Sequence, residues 1–361
     1  MKAHKLLSLA VGMAACCSTT LVQADGQSQR GMYNPPPSQG AEPLPITPNA
    51  GPKTVWAADP FFTVDFIYWT PRQEGLAYAI EGIDFGAVPI DTNKGPIHEP
   101  DFGFDPGFKV GAGVTMQHDG WDVYANYTWI HSTATDSVTD VNGFLPTLPN
   151  FLFIFFNLTN PQPPITGDLF KGKTSWTLHY NTIDLELGRN YYISRFLTLR
   201  PHIGLKGTWQ DQDLRTSYHI TDGNVISIHN HQDYYGVGVR AGLNTCWYFI
   251  KSFGLYGDFA LTGMWSGSTN FRNDKRHAPD DTVQAFLETH QVSHSVKPVF
   301  EFGIGLRYEY LYNDDDFRFL IQAGWEEQIW VGNNQFIDIA EYGDKGNLTL
   351  QGLTLKVRFD F

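Results

Sequence analysis

The feature that most constrains this chain is a period-two alternation that recurs from Phe62 to the C-terminus. Phe62, Val64, Phe66 and Tyr68 are separated by Thr63, Asp65 and Ile67. Trp121, Val123, Ala125, Tyr127 and Trp129 enclose Asp122, Tyr124, Asn126 and Thr128. Tyr235, Val237, Val239, Ala241 and Leu243 enclose Gly236, Gly238, Arg240 and Asn244, and Leu353, Leu355, Val357, Phe359 and Phe361 surround Lys356, Arg358 and Asp360. Successive side chains of a strand point to opposite faces, so each run has one apolar face and one polar or small face. The mid-strand glycines, such as Gly238 and Gly305, leave room for longer neighbours.

Alternation fits a soluble β-sandwich as well as a membrane barrel, and four features favour the barrel. The runs are about 9–14 residues, enough for a tilted strand to cross a bilayer. Connections alternate between short (His118 to Gly120, Tyr248 to Ser252, Leu311 to Asp316) and long (His131 to Lys173, Gln210 to Gln232, Ser266 to Lys297), as in outer-membrane barrels with short periplasmic turns and long extracellular loops. Trp69, Trp129, Trp209, Trp265 and Trp330 fall at the outer ends of their strands, which predicts five indole anchors at the membrane interface. The last run closes on a terminal Phe361. The expected fold is all-β: a transmembrane antiparallel up-and-down β-barrel over 59–361 with about ten strands. These start near Phe62, Phe104, Trp121, Thr174, Leu197, Asp233, Phe253, Pro298, Phe317 and Leu348. Gly75 to Glu81 and Ser217 to Ile228 read as strand-like extensions into extracellular loops; counting them as a further pair would make twelve. A change of parity between Tyr180 and Ile183 predicts a bulge.

Composition agrees. Only 17% of the 361 residues are charged, 15% are aromatic, and the mean hydropathy is −0.27. No run of about 18 apolar residues occurs, which excludes spanning helices. Lys2 and Lys5, the apolar run Leu6 to Ala15 and the small residues of Val22-Gln23-Ala24 predict a signal peptide over 1–24, and hence export. An alternative takes Met13-Ala14-Ala15-Cys16 as a lipoprotein box. Residues 25–58, with Pro35-Pro36-Pro37, Pro43, Pro45, Pro48 and Pro52, read as a Pro-rich periplasmic linker. Cleavage removes Cys16, Cys17 and two lysines but no acid, so the mature chain keeps Cys246 alone and its net charge moves from −13 to −15. Such an acidic chain is a poor nucleic-acid binder.

Several segments resemble the Legionella-type major outer membrane protein family and its chlamydia-like relatives. They are Ile67 to Ile80 (IYWTPRQEGLAYAI), His118 to Tyr124 (HDGWDVY), Leu185 to Arg189 (LELGR), Leu197 to Gly204 (LTLRPHIG) and Leu350 to Leu355 (LQGLTL). The resemblance covers nearly the whole chain after the linker. It implies a surface-exposed barrel of the bacterial outer membrane, with porin activity. Some relatives join a disulfide-linked envelope; Cys246 would allow one intermolecular bond at most, and its lumen-facing parity favours a free thiol.

Strand parity assigns Asp65, Lys109, Asp122, Glu186, Arg200, His202, Lys206, Arg240, Glu301, Arg307, Lys356 and Arg358 to the lumen as pore-lining candidates. Facing rows of opposite charge would select solutes in a wide barrel and plug a narrow one. The expected function is a porin for diffusion of small hydrophilic solutes and ions. The alternative is a surface adhesin or structural envelope barrel without a conducting pore. Expected partners are outer-membrane lipid, small solutes and a host or envelope partner at the acidic loops; self-association is left open. The apolar run Phe151 to Phe156 reads as a local hydrophobic anchor. No catalytic, cofactor or metal site is expected. His229-Asn230-His231 and the pair His290 and His294 each lack a third ligand in sequence, and no nucleophile elbow or nucleotide motif occurs.

Overall fold

Each alternating run becomes one wall strand. A computed structural model describes residues 58–81, 96–116, 121–139, 144–146, 169–194, 196–250, 252–312, 317–337 and 346–361. The expected signal peptide, nearly all of the linker, the Phe151 to Phe156 run and the His118 to Gly120 turn lie outside them. Ten long strands form the wall: β1 (Ala58–Gln73), β4 (Asp105–Met116), β5 (Trp121–Thr139), β7 (Leu169–Arg189), β9 (Leu197–Ile220), β10 (Val225–Ile250), β11 (Phe253–His277), β12 (Val283–Tyr312), β13 (Phe317–Trp330) and β14 (Leu348–Asp360). Each pairs antiparallel with its sequence neighbour in this set, and β1 pairs with β14 from Phe61↔Asp360 to Gln73↔Leu348. The sheet is therefore a closed ten-stranded ring, as expected. Closure leaves no edge, which is what lets backbone polar groups enter lipid. The two-residue β8 (Tyr191–Tyr192) adds to β9, and β2 (Ala79–Glu81), β3 (Ile97–His98) and β6 (Phe144–Pro146) form a separate small sheet.

The two faces separate sharply. On β1, Phe62, Val64 and Phe66 are 50–60% exposed, while Thr63, Asp65 and Ile67 are 3% or less. Ile183, Leu185, Ile203, Leu205, Val237, Val239, Phe302, Ile304 and Leu355 continue the outward apolar band. At one border of the band Trp129 stacks on Phe108 (ring centroids 5.5 Å apart) and Tyr127 on Trp209 (6.1 Å), and Trp265 also points outward, on β11. Trp247 marks the other border, near the short turns.

Two expectations are corrected. Trp69 and Trp330 are fully buried inside the ring and are not interface anchors. Trp69 follows the outward Tyr68 by one residue, and Trp330 follows the outward Trp325 by five, so parity turns both inward. There is no bulge at Tyr180: the register runs evenly from Tyr180↔Gln210 through Ile183↔Gly207, and Tyr180 is an inward aromatic. Ser217 to Ile228 extends the wall as paired strand, in line with its strand-like reading, and 266–297 continues in the same way. β9–β10 stays paired up to His219↔Val225, turning through Gly223 at φ +87°, and β11–β12 stays paired up to His277↔Val283. The first hairpin thus runs ten residues past Trp209, roughly 30 Å of extended chain. Gly75 to Glu81 adds no spanning strand.

Candidate functional site: the barrel lumen

All twelve lumen candidates face inward, and the ring brings them together as ion pairs at two levels. At the short-turn end, Asp360 accepts from Arg318 (Nη2–Oδ1 2.9 Å) and from Arg358 (Nε–Oδ1 3.0 Å), and Tyr248 donates to Glu309 (2.7 Å) beside Arg307. One level further in, Arg200 donates through Nε to Asp122 Oδ2 and through Nη1 to Glu186 Oε2, both at 2.9 Å. Arg240 bridges Glu186 and Glu301 (Nη2–Oε2 2.9 Å) and donates to His202 Nε2 at 3.1 Å. Lys206 lies between Asp184 (2.7 Å) and Glu301 (3.2 Å). Lys109 on β4 reaches past β1 and β14 to pair with Glu326 on β13, and Lys356 pairs with its β1 register partner Asp65 at 3.6 Å.

Such pairing is what burial demands. A lone ion removed from water is costly, and partners of opposite charge offset that cost only when geometry and hydrogen bonds are good. A polar cavity of about 210 Å³ opens among these groups, lined by Asp122, Glu186, Arg200, Arg240, Glu301 and Arg358. Its lining ends near Thr128, Asp184 and Gln328. Glycines keep the wall close: a Cβ on Gly324 would collide with the Tyr256 hydroxyl. Cys246 is buried on the lumen side, as its parity predicts.

Beyond that level the lumen changes character. Ile67, Trp69, Ile130, Tyr180, Tyr234, Met264, Val299 and Trp330 form a buried apolar layer across the ring. Tyr180 and Tyr234 both meet the Trp330 ring edge-on, with centroids 5.8 and 6.3 Å away. Two polar atoms of the layer are tied down: Trp69 Nε1 donates to Thr354 (3.1 Å) and the Tyr180 hydroxyl to Gln328 (2.7 Å). The Lys109 ammonium lies 4.6 Å from the Trp69 ring centroid, joining the charged and aromatic levels through a cation–π contact.

The segment after β13, residues 331–337, folds into the mouth above this layer. Gln212 donates to Asn333 Oδ1 (2.8 Å), Asn333 to Gln210 (3.1 Å), and Gln232 to the Asn333 carbonyl (2.9 Å). The Gln335 amide donates to Gln232 (2.7 Å), and Arg272 donates to the Ile337 carbonyl (3.0 Å). Higher still, Tyr78 packs inside the extended hairpins with Val138, Tyr218, Ile220, Ile226 and Ile228 and donates to Asp136 (3.0 Å). Sequence reasoning missed both the aromatic layer and the inserted segment. The parity of Trp69, Tyr180 and Trp330 is the signal for the layer; the segment has no period to read.

A family model described as the Legionella pneumophila major outer membrane protein precursor matches residues 52–361. Among solved structures, the chain is similar to the outer membrane protease OmpT from Escherichia coli (10% identity over 88% of this chain and 98% of that one, TM-score 0.38). It is also similar to a major outer membrane protein from Thermus thermophilus (12% identity, 85% and 100% coverage, TM-score 0.29) and to the CymD monoaromatic hydrocarbon channel (8% identity, 84% and 88% coverage, TM-score 0.30). No curated protein matches.

Proposed function

Because this chain belongs to the Legionella major outer membrane protein family, and so forms a β-barrel of the bacterial outer membrane, we propose that it is a narrow porin for small hydrophilic solutes and ions. The observation that carries the reading is the ion-lined cavity of about 210 Å³ inside a closed ring. Short turns lie on the periplasmic side in such barrels, so this cavity is the periplasmic vestibule. The layer of Trp69, Tyr180 and Trp330 is the gate, and residues 331–337 stand over it. A solute crosses when these side chains move aside.

A second reading rests on the same layer. With the mouth filled and the lumen cations paired, the barrel would serve as a structural or adhesive envelope protein through its extended hairpins. Planar-bilayer recording of refolded full-length protein separates the two. A porin gives brief openings of small unit conductance, whereas current no greater than the bare bilayer's, in both the native chain and Trp330→Ala, would sink the porin reading.

A further inference from the structure

On the outside of the ring, β9 and β10 bring together two dipeptide-spaced pairs that sequence keeps 16 residues or more apart. Asp211 and Asp213 lie on β9, and His229 and His231 on β10, with His231 paired to Asp213 and Asp233 paired to Asp211 in the register. All five share one face, because residues two apart on a strand point the same way. The face begins two residues past Trp209, beyond the aromatic border of the membrane band.

The geometry is that of a metal site. His231 Nδ1 lies 3.4 Å from Asp213 Oδ1 and 3.6 Å from Asp211 Oδ1, and one ligand atom from each of the three residues falls within 4.8 Å of the others. Zinc bonds to nitrogen and carboxylate oxygen of about 2.0–2.1 Å place tetrahedral ligands about 3.4 Å apart. The ligands are also held from behind. The other ring nitrogen of His231, Nε2, faces Asp233 Oδ1 at 3.3 Å, and His229 Nε2 lies 2.5 Å from Asp213 Oδ1. A carboxylate on the far nitrogen of a ligating imidazole fixes the ring and raises its basicity, and ligating carboxylates are themselves hydrogen-bonded. His231 and Asp213 are about 30% exposed and Asp211 47%, so an ion can reach them from water. The pair His290 and His294 has no comparable group around it among the described residues.

We propose that Asp211, Asp213 and His231 form a divalent transition-metal site, suited to Zn²⁺, that cross-links β9 and β10 on the outer surface. Asp233 orients His231, and His229 orients Asp213. The fourth position points away from the wall and takes water or an external ligand. The site is independent of the lumen and of whether the barrel conducts.

The test uses refolded full-length protein without a histidine tag, titrated with Zn²⁺ against a chromogenic chelator and with Co²⁺ by visible absorption. One saturable site per chain is expected, with the visible bands of four-coordinate Co²⁺. Asp211→Asn and His231→Ala should each weaken Zn²⁺ binding at least tenfold, Asp233→Asn about tenfold, and His290→Ala should leave it unchanged. These are surface changes, and β-sheet circular dichroism reports whether each variant is folded. Absence of saturable binding in the native chain would overturn the proposal. So would folded Asp211→Asn and His231→Ala proteins that bind as tightly as the native one.

Discussion

Asp274 shows how a single side chain can set the stability of the extracellular extension. It is completely buried inside β11, 2.9 Å from Arg272 Nε, and Arg272 in turn holds the Ile337 carbonyl. Burial pushes its carboxyl up from 3.8 to about 6, against the opposing pull of Arg272. A carboxyl raised in the folded state binds its proton more tightly there than in the unfolded chain. Its contribution is therefore fully present below about pH 4 and is lost as pH rises through about 6. Between pH 7.5 and pH 5 the extension should gain ~1.4 kcal/mol, about a tenfold slowing of amide exchange in the upper half of β11 after correction for intrinsic rates. Asp274→Asn should flatten that dependence. An unchanged pH profile in the variant would assign the effect to other groups.

Among the elements, residues 331–337 are the part of the mouth most open to change. They hold to the wall through Gln210, Gln212, Gln232, Arg272 and Lys297, polar contacts that can exchange for water, whereas the wall strands are bonded on both sides. Replacing Asn333 to Phe336 with a Gly-Ser linker, or Trp330 with Ala, should raise unit conductance at least twofold without loss of β-sheet signal. Conductance equal to the native value in both variants would place the narrowest point elsewhere. The wall strands are legible in the sequence because each has one lipid-facing side, and lipid enforces period two. Trp69, Tyr180 and Trp330 mislead for one shared reason: with a polar lumen expected throughout, inward aromatics read as interface anchors or a bulge. Their parity alone points them inward. The lumen charges are legible by the same rule, but their pairing needs the register, which a one-dimensional pattern does not carry. The inserted segment and the third ligand beside His231 depend on contacts between distant stretches, and no local pattern encodes those.

At the scale of the whole molecule, charge falls into two populations with different consequences for selectivity. Inside, Lys206, Arg240, Lys109 and Lys356 each lie against carboxylates, so the fields of the pairs largely cancel over a few ångströms. The chain as a whole nevertheless carries −13, and acids such as Glu74, Glu99, Asp233, Asp280, Asp281 and Glu288 stand exposed. If the barrel conducts, its preference for cations should come from these surface acids, which attract counter-ions before they reach the paired lumen. Exposed charges are screened beyond about 10 Å at 0.1 M salt and about 3 Å at 1 M. Reversal potentials under a fixed KCl gradient should therefore show cation selectivity near 0.1 M that fades toward none near 1 M. A selectivity that persists at 1 M would place the filter in the buried belt instead. In that case the double replacement Arg240→Gln with Glu301→Gln, which removes one charge of each sign, should shift the reversal potential while leaving the surface charge untouched.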